Sequence, residues 1–226
     1  MSTFSDRFTA LELLLGARKS NGGWPQKLAM DKAPTTIVAT AQALEILRIR
    51  GLEYEDSQIQ EGLRYLAEQV CKQTQPVSRP GGRGEWTRFP AYALWGLMRY
   101  PASRHNETLK PGIVFCYKWL RANRLLAGGW SQSPEAGQLW LPGTMVAVHA
   151  LDRLGVYSNS TMAQQTQDLV DSARDHIVEN AQRKNGDRQQ FWTQTLGGEP
   201  CPGATSMAIL TLARGSDKHR GCTCGH

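Results

Sequence analysis

Apolar residues recur at helical spacing in eight segments of the chain, and the segments fall into four pairs. The spacing predicts helices over residues 5–18, 36–50, 56–73, 87–100, 109–123, 143–155, 161–183 and 203–214. The first helix of a pair is amphipathic, whereas the second is apolar around most of its circumference. This alternation predicts an outer layer of helices around an inner layer. Because no alternating β pattern is present, the predicted fold class is all-α.

Each turn between paired helices contains a tryptophan: Trp24, Trp86, Trp130 and Trp192. The first and third are 106 residues apart (130 − 24), and so are the second and fourth (192 − 86). A fixed interval of this kind is typical of a repeat architecture. Buried aromatic side chains chiefly supply packing area, so we interpret the four tryptophans as structural residues that cap a helix end and join neighbouring hairpins.

Two stretches carry a resemblance to a known repeat family. One runs from 118–123 (KWLRAN) to 128–132 (GGWSQ), and the other from 21–26 (NGGWPQ) to 34–44 (PTTIVATAQAL). They resemble the repeats of the squalene/oxidosqualene cyclases and of the protein prenyltransferase β-subunits, and the resemblance covers nearly all of residues 5–215. It implies an (α/α) toroid, the terpenoid cyclase-like fold.

The number of hairpins sets the expected architecture. The family toroid normally has six hairpins, and this chain has four predicted ones. We therefore expect a toroid or an open arc of about four hairpins with inner and outer helix layers. The expected organisation is one repeat domain over 1–215 and a flexible C-terminal tail over 216–226.

Composition and charge narrow the protein class only slightly. The formal net charge is +6 and the isoelectric point is about 9.2, which fits either a solvated surface or an acidic partner such as a pyrophosphate group. No nucleic-acid-binding motif accompanies the basic residues. No apolar stretch approaches the roughly 20 residues of a transmembrane helix. The first residues lack a secretory leader, so we expect a cytoplasmic protein.

The catalytic motifs of the resembled family are missing from their expected places. The family's cyclases use an aspartic acid just before an inner helix, and no aspartate occurs at the matching positions, which are 33–36, 89–92, 141–144 and 201–205. The zinc-binding Asp, Cys and His of the prenyltransferases have no counterpart either. The sequence therefore predicts no cofactor, and no motif supports Zn²⁺ or Mg²⁺.

Carboxylates in the loops that enter inner helices are the remaining catalytic candidates. They are Asp31, Glu135 and Glu199, on the side where a toroid presents its cavity. The alternative is that these side chains are only solvated.

Aromatic residues near the same helix ends are candidates for binding a cation or an apolar ligand through their ring faces. The ligand-binding candidates are Phe89, Tyr92, Trp95, Trp140 and His149. Packing in the core or at its rim is the alternative for the aromatics, and a hydrogen-bonded core histidine is the alternative for His149.

The end of the chain groups four side chains of soft-metal chemistry: His219, Cys222, Cys224 and His226. Thiolates and imidazoles can bind Zn²⁺ or Cu⁺. Their spacing is too tight for a standard zinc finger, so a frayed terminus without function is the alternative.

Three functions remain open at this point. The first is a binding module whose concave face takes a polypeptide or an apolar, isoprenoid-like ligand, without the standard cyclase chemistry. The second is a divergent terpene cyclase or prenyltransferase that acts on an isoprenoid substrate. The third is a subunit whose ring is completed by other chains, either further copies of itself in an oligomer or a protein partner.

Overall fold

A computed structural model describes residues 4–28, 33–73, 87–101, 103, 106–132, 137–156, 160–184, 189–193 and 201–216. The helices are α1 Phe4–Gly16, α2 Ile37–Ile49, α3 Ser57–Gln73, α4 Arg88–Leu97, α5 Lys110–Ala122, α6 Leu141–Val156, α7 Ser160–Glu179 and α8 Pro202–Ser216. All eight predicted helices are present, and the all-α fold class is confirmed. The pairs α1–α2, α3–α4, α5–α6 and α7–α8 form a helical repeat.

The expectation that the chain contains no strands is wrong for one short segment. Helix α7 ends at Glu179 instead of 183, and β1 Gln182–Lys184 then pairs antiparallel with β2 Gln189–Phe191. The Asn180 side-chain amide donates to the carbonyl of His176 at 2.8 Å, and the Asn180 backbone N–H donates to the same carbonyl at 3.1 Å, so both bonds hold the last turn of α7. A polar run without helical periodicity follows, and it forms the two-stranded ribbon.

The chain divides into two compact units. One unit comprises Met1–Ser78 with Tyr92–Tyr117, and the other comprises Arg79–Ala91 with Lys118–His226. Two of the three boundaries fall inside helices, one in α4 and one in α5. The single domain over 1–215 stays a prediction.

In the first unit, small residues let the second helices of neighbouring pairs approach closely. A Cβ atom added at Gly96 of α4 would lie 2.6 Å from Leu66 Cδ1 and 3.2 Å from Ala41 Cβ of α2, so no larger residue fits there without movement. Beyond this contact, Arg99 pairs with Glu45 at 3.1 Å. The contact between α2 and α4 is therefore apolar, with an ion pair beside it.

In the second unit, α6, α7 and α8 share one apolar core. Its buried members are Leu139, Leu141, Met145, Ile177, Trp192, Ala204 and Ala208. At the edge of this core, Arg174 of α7 pairs with Asp152 of α6 at 2.6 Å. None of the helices in the described part of the chain combines the length and apolarity that a membrane crossing requires.

Candidate functional site

Three tryptophan side chains bind the ends of the first helices of their pairs. The indole N–H donates to the carbonyl of the third-last residue of that helix: Trp24 to Leu14 at 2.7 Å, Trp130 to Leu120 at 2.7 Å, and Trp192 to Ile177 at 2.8 Å. The last carbonyls of a helix have no partner within the helix. The indole supplies that partner while its rings are at most 5% exposed.

The backbone of each tryptophan also binds the second helix of its pair. Its N–H donates to a threonine Oγ1 at the fourth helical position, and the threonines are Thr40 at 2.9 Å, Thr144 at 3.0 Å and Thr205 at 3.0 Å. Its carbonyl accepts the N–H of the residue just before that helix, at 3.1, 2.8 and 3.2 Å respectively. We call this set of bonds the tryptophan anchor.

Glycine is required in the turn that carries the anchor. Gly128 has φ +101°, and a Cβ atom there would lie 2.1 Å from the carbonyl oxygen of Ser172 in α7. His176, also in α7, contacts the carbonyl oxygen of Gly128 through its Nδ1 atom. The turn is thus pressed against the first helix of the next pair, and both the backbone angle and the space exclude a side chain.

Each anchor closes the base of a loop that leads into a second helix. The loops are 25–35 before α2, 131–139 before α6 and 193–200 before α8. In the first two, isolated antiparallel bridges pair the loop ends, Pro25 with Thr35 and Ser131 with Leu139. We call these three segments the anchored loops. They have fixed bases, which is how a rigid scaffold commonly presents binding residues.

The pair α3–α4 departs from this arrangement. Trp86 lies outside the described residues, and the fourth position of α4 is Ala91, which has no hydroxyl. Thr87, just before α4, instead donates its hydroxyl to the carbonyl of Ser131, and its N–H contacts the Gln132 carbonyl at 3.3 Å. Thr87 therefore adds a second attachment to the base of the loop 131–139.

The second unit brings the bases of two anchored loops together. Leu139, at the end of one loop, and Trp192, at the start of the other, belong to the same buried core. The helices that these loops enter, α6 and α8, also contact each other directly, through His149 Nε2 and Thr211 Oγ1 at 3.3 Å. We take this pair of loop bases as the candidate site.

The three candidate carboxylates fall in the anchored loops, one in each, but outside the described residues. Asp31 belongs to the first loop, Glu135 to the second and Glu199 to the third. Their roles stay predictions, as does metal binding by His219, Cys222, Cys224 and His226, which also lie outside the described residues. Among the residues that are described, no cluster of three or more His, Cys, Asp or Glu side chains could hold a metal ion.

The aromatic candidates do not all lie together. Trp140 stands just before α6 at the candidate site, half-buried, and its ring packs on Gly143, where a Cβ atom would lie 2.2 Å from it. Phe89, also half-buried, lies in the first turn of α4 in the second unit.

Tyr92 and Trp95 form a separate group in the first unit. Their ring centroids are 6.1 Å apart with a T-shaped geometry, and the Arg99 guanidinium lies 4.7 Å from the Trp95 centroid. This arrangement is a packed cation–π contact, and the arginine is held by an ion pair at the same time.

His149 is half-buried on α6 and is held by its contact with Thr211. This position matches the hydrogen-bonded alternative considered for it from the sequence. A role in ligand binding stays a prediction.

Burial is the main cause of the raised pKa values of four side chains in the first unit, Tyr65, Cys71, Tyr100 and Cys116. Burial raises the pKa of the Tyr65 hydroxyl, and a hydrogen bond with Thr35 at the end of the first anchored loop opposes this effect. The pKa of the Cys116 thiol is raised strongly, because Cys116 is completely buried. Both side chains are therefore neutral structural groups at neutral pH.

Two small cavities occur elsewhere in the described structure. One of about 320 Å³ borders the first Gly-rich turn and the polar side of α3, and one of about 130 Å³ lies between α6 and α7. Neither includes a residue that the sequence predicted as a site.

Sequence reasoning missed the threonines of the anchors. Thr40, Thr144 and Thr205 each stand in the first turn of a helix that is otherwise apolar, two to six residues after a proline. That repeated hydroxyl was the available signal. Its spacing from the preceding tryptophan varies with loop length, so the interval of 106 residues does not reveal it.

The fold has relatives among solved structures. A glycosidase in complex with glucose aligns with 93% of this chain and 67% of its own, at 12% identity and a TM-score of 0.58. A second glycosidase structure aligns with 90% and 64%, at 12% identity and a TM-score of 0.57. The chain thus spans about two thirds of the length of these structures. No protein-family model and no curated protein matches it. At this identity, the likeness describes the fold alone.

Proposed function

We propose that this chain is a binding module whose ligand contacts come from the anchored loops 131–139 and 193–200. The observation that carries the proposal is the repeated tryptophan anchor, which fixes the bases of both loops against one core. Binding residues are commonly placed on loops that a rigid scaffold positions. Trp140, half-buried just after the loop 131–139, offers an aromatic face.

A carbohydrate is the ligand class that we favour. Two glycosidase structures share the fold, and one of them is described in complex with glucose. Aromatic faces and carboxylates suit sugar rings and hydroxyl groups, and the two loops carry Trp140, Glu135 and Glu199. An isoprenoid-like ligand, implied by the resemblance to cyclases and prenyltransferases, is the competing class, and a polypeptide is a third.

Isothermal titration calorimetry with the full chain tests this proposal. The ligands are glucose, a gluco-oligosaccharide series and farnesyl diphosphate, with Trp140→Ala as the site variant and Trp119→Ala of α5 as the matched control. We expect binding of an oligosaccharide that weakens about tenfold in Trp140→Ala, or ~1.4 kcal/mol, and is unchanged in the control. Equal weakening in both variants, or binding of farnesyl diphosphate alone, contradicts the carbohydrate proposal.

A second candidate function is glycoside hydrolysis by Glu135 and Glu199. Such hydrolysis generally uses two carboxyl groups, one to protonate the leaving oxygen and one to activate water or to attack the sugar. The specific observation in favour is that the two loops bearing these residues start from adjacent, anchored bases.

Release of reducing sugar from oligosaccharides tests the second candidate. We expect activity that falls at least about 100-fold in both Glu135→Gln and Glu199→Gln, because each group would act in proton transfer or attack. Sugar binding without any release leaves the binding proposal standing and removes the hydrolase. Activity that survives either substitution also removes it.

A further inference from the structure

The first helices of neighbouring pairs contact each other at a nearly constant offset in sequence. Between α5 and α7, the Arg121 guanidinium donates to the Gln165 side chain at 3.2 Å. Further along, a Cβ atom at Gly128, in the turn after α5, would touch the carbonyl of Ser172 in α7. Both pairs are 44 residues apart (165 − 121 and 172 − 128). Because the contacts advance together along the two segments, α5 and α7 run in the same direction.

The helices α1 and α3 show the same relation. Arg18, just after α1, forms an ion pair with Glu61 of α3, and the two residues are 43 apart (61 − 18). A Cβ atom at Gly23 would lie 2.7 Å from the ring of Tyr65 in α3, at an offset of 42 (65 − 23). The first helix of a pair is therefore parallel to the first helix of the next pair in both places.

Between α3 and α5, the two backbones touch. A Cβ atom at Gly112 of α5 would lie 2.5 Å from the Cα atom of Ala67 in α3, and the two residues are 45 apart (112 − 67). Four residues further along both helices stand Cys71 and Cys116, at the same offset of 45 (116 − 71). Residues four apart share one side of a helix, so parallel helices place these cysteines opposite each other.

The spacing of the helices suits a bond between the two cysteines. Since a Cα–Cβ bond is about 1.5 Å long, the Cα atoms of Ala67 and Gly112 are at most about 4 Å apart. Helices that cross at about 20° separate by only about 2 Å over four residues. The Cα atoms of Cys71 and Cys116 are then about 6 Å apart, inside the range of about 4.4 to 6.8 Å that a disulfide requires.

An electrostatic effect also indicates that the two thiols are close. Burial is the main cause of the raised pKa of Cys116, and the charge of ionised Cys71 raises this pKa further. Such an effect falls off with distance, so it requires neighbouring groups. The two thiols differ in access, because Cys71 is partly exposed and Cys116 is completely buried.

We propose that Cys71 and Cys116 form a reversible disulfide that joins α3 to α5, with a small disulfide such as oxidised glutathione as the oxidant. The site is independent of the ligand proposal, because both cysteines belong to the first unit and the loops 131–139 and 193–200 belong to the second.

The oxidation proceeds in two exchange steps. Cys71 is the accessible thiol, so it loses its proton to water, and its Sγ attacks one sulfur of the oxidant. The sulfur–sulfur bond of the oxidant breaks, one glutathione thiolate leaves, and the other glutathione stays on Cys71. The Cys116 sulfur then attacks Cys71 Sγ, and the second glutathione leaves with the proton of Cys116. The two protein thiols are oxidised, and the oxidant is reduced to two thiols.

Peptide mapping of the full chain after incubation with oxidised glutathione tests the proposal. Free thiols are alkylated before digestion, and trypsin releases Cys71 in the peptide 65–72 and Cys116 in the peptide 105–118. We expect mass spectrometry to find these two peptides joined, and dithiothreitol to separate them. A chain in which Cys71 does not react, keeps its glutathione or joins a different cysteine overturns the proposal.

Serine variants test the order of the two steps. Cys116→Ser should stop after the first step, with one glutathione on Cys71, whereas Cys71→Ser should leave the buried Cys116 unmodified. Cys201→Ser, in the second unit, is the matched control and should give the same joined peptides as the natural sequence. If Cys116→Ser loses its helical circular dichroism, Cys116→Ala replaces it. Glutathione on Cys116 in the Cys71→Ser chain would contradict the assigned order.

Thermal unfolding measures whether the disulfide fits the native fold. A bond that fits stabilises the protein by restricting the unfolded chain. We expect the unfolding temperature of the natural chain to rise by several degrees on oxidation and to return with dithiothreitol. The Cys71→Ser chain, treated in the same way, should show no rise. An unchanged or lower unfolding temperature in the cross-linked chain would mean that the bond distorts α3 and α5, and would overturn the proposal.

Discussion

At the residue scale, Trp130 carries out two separable tasks. Its rings fill a completely buried site, and its indole N–H satisfies a carbonyl at the end of α5. Its backbone meanwhile binds Thr144 in α6 through both the N–H and the carbonyl. Side-chain substitutions can therefore probe the helix-end bond without altering the loop base directly.

We predict that Trp130→Phe destabilises the protein by about 1–3 kcal/mol, because the Leu120 carbonyl would be left buried without its donor. Trp119→Phe, at a half-buried tryptophan in the same helix α5, is the control and should cost less. Urea unfolding followed by circular dichroism measures both variants. Equal losses would mean that ring volume, and not the hydrogen bond, sets the cost.

Comparing substitutions at Gly128 and Gly51 separates the cost of backbone strain from the cost of a steric clash. Both have positive φ, +101° and +88°, but a Cβ atom at Gly51 would meet nothing within 4 Å. We predict a cost of about 1 kcal/mol for Gly51→Ala from strain. Gly128→Ala should lose a further ~1–3 kcal/mol, since the new methyl group would clash with the Ser172 carbonyl. The same unfolding experiment compares them, and similar losses would contradict the packing of the turn on α7.

The buried thiol of Cys116 gives the protein an alkaline sensitivity. Burial raises its pKa in the folded state, whereas the unfolded thiol ionises near pH 8.5. The unfolded state therefore loses a proton first, and the free energy of unfolding falls as pH rises above about 8.5. The Tyr100 hydroxyl, raised by the same cause, adds to the fall above about pH 10.

We predict that Cys116→Ala flattens the stability profile between about pH 8.5 and 10, by up to ~1.4 kcal/mol per pH unit. Cys71→Ala, at a partly exposed cysteine of α3, should have a smaller effect. Denaturant unfolding at a series of pH values measures both. A natural chain whose stability is flat from pH 8 to 10 would contradict the burial of this thiol.

At the element scale, helical periodicity located every helix, because apolar spacing alone determines which side of a helix is buried. It failed at the end of α7, where the helix stops at Glu179 and a polar run forms a strand pair. The structure of the loop bases was harder to predict from the sequence. These bases depend on bonds between Trp130 and Thr144, or Trp192 and Thr205, whose spacing is set by loop length.

The anchored loop should tolerate changes at its tip but not at its base. Residues 133–136 lie between the paired ends of the loop 131–139, so replacing them with a Gly-Ser run should change the free energy of unfolding by about 0.5 kcal/mol or less. Thr144→Val removes the acceptor of the Trp130 N–H and should cost about 1–3 kcal/mol. Chemical denaturation measures the free energy of unfolding of both variants. If the tip replacement greatly lowered the free energy of unfolding, the loop base would not be stable without the tip, and the prediction would be wrong.

At the scale of the whole molecule, composition and motif absence gave little about function. The candidate carboxylates follow from the sequence, because they precede second helices, but the sequence does not show which loop bases share a core. That relation between loop bases is visible only in the packing of Leu139 and Trp192. The exposure of Ile46 in α2 and of Ile209 in α8 also escaped the sequence, because both helices are apolar around most of their circumference.

The central claim is that the loops 131–139 and 193–200 together hold the ligand. The most direct test is thermal unfolding with gluco-oligosaccharides and with farnesyl diphosphate, for the natural chain and for a chain with both loop tips replaced by Gly-Ser runs. Binding to the native state must raise the unfolding temperature. The account predicts a rise of several degrees with an oligosaccharide in the natural chain and none in the replaced chain. A rise of equal size in both chains, or no rise with any ligand, would contradict it.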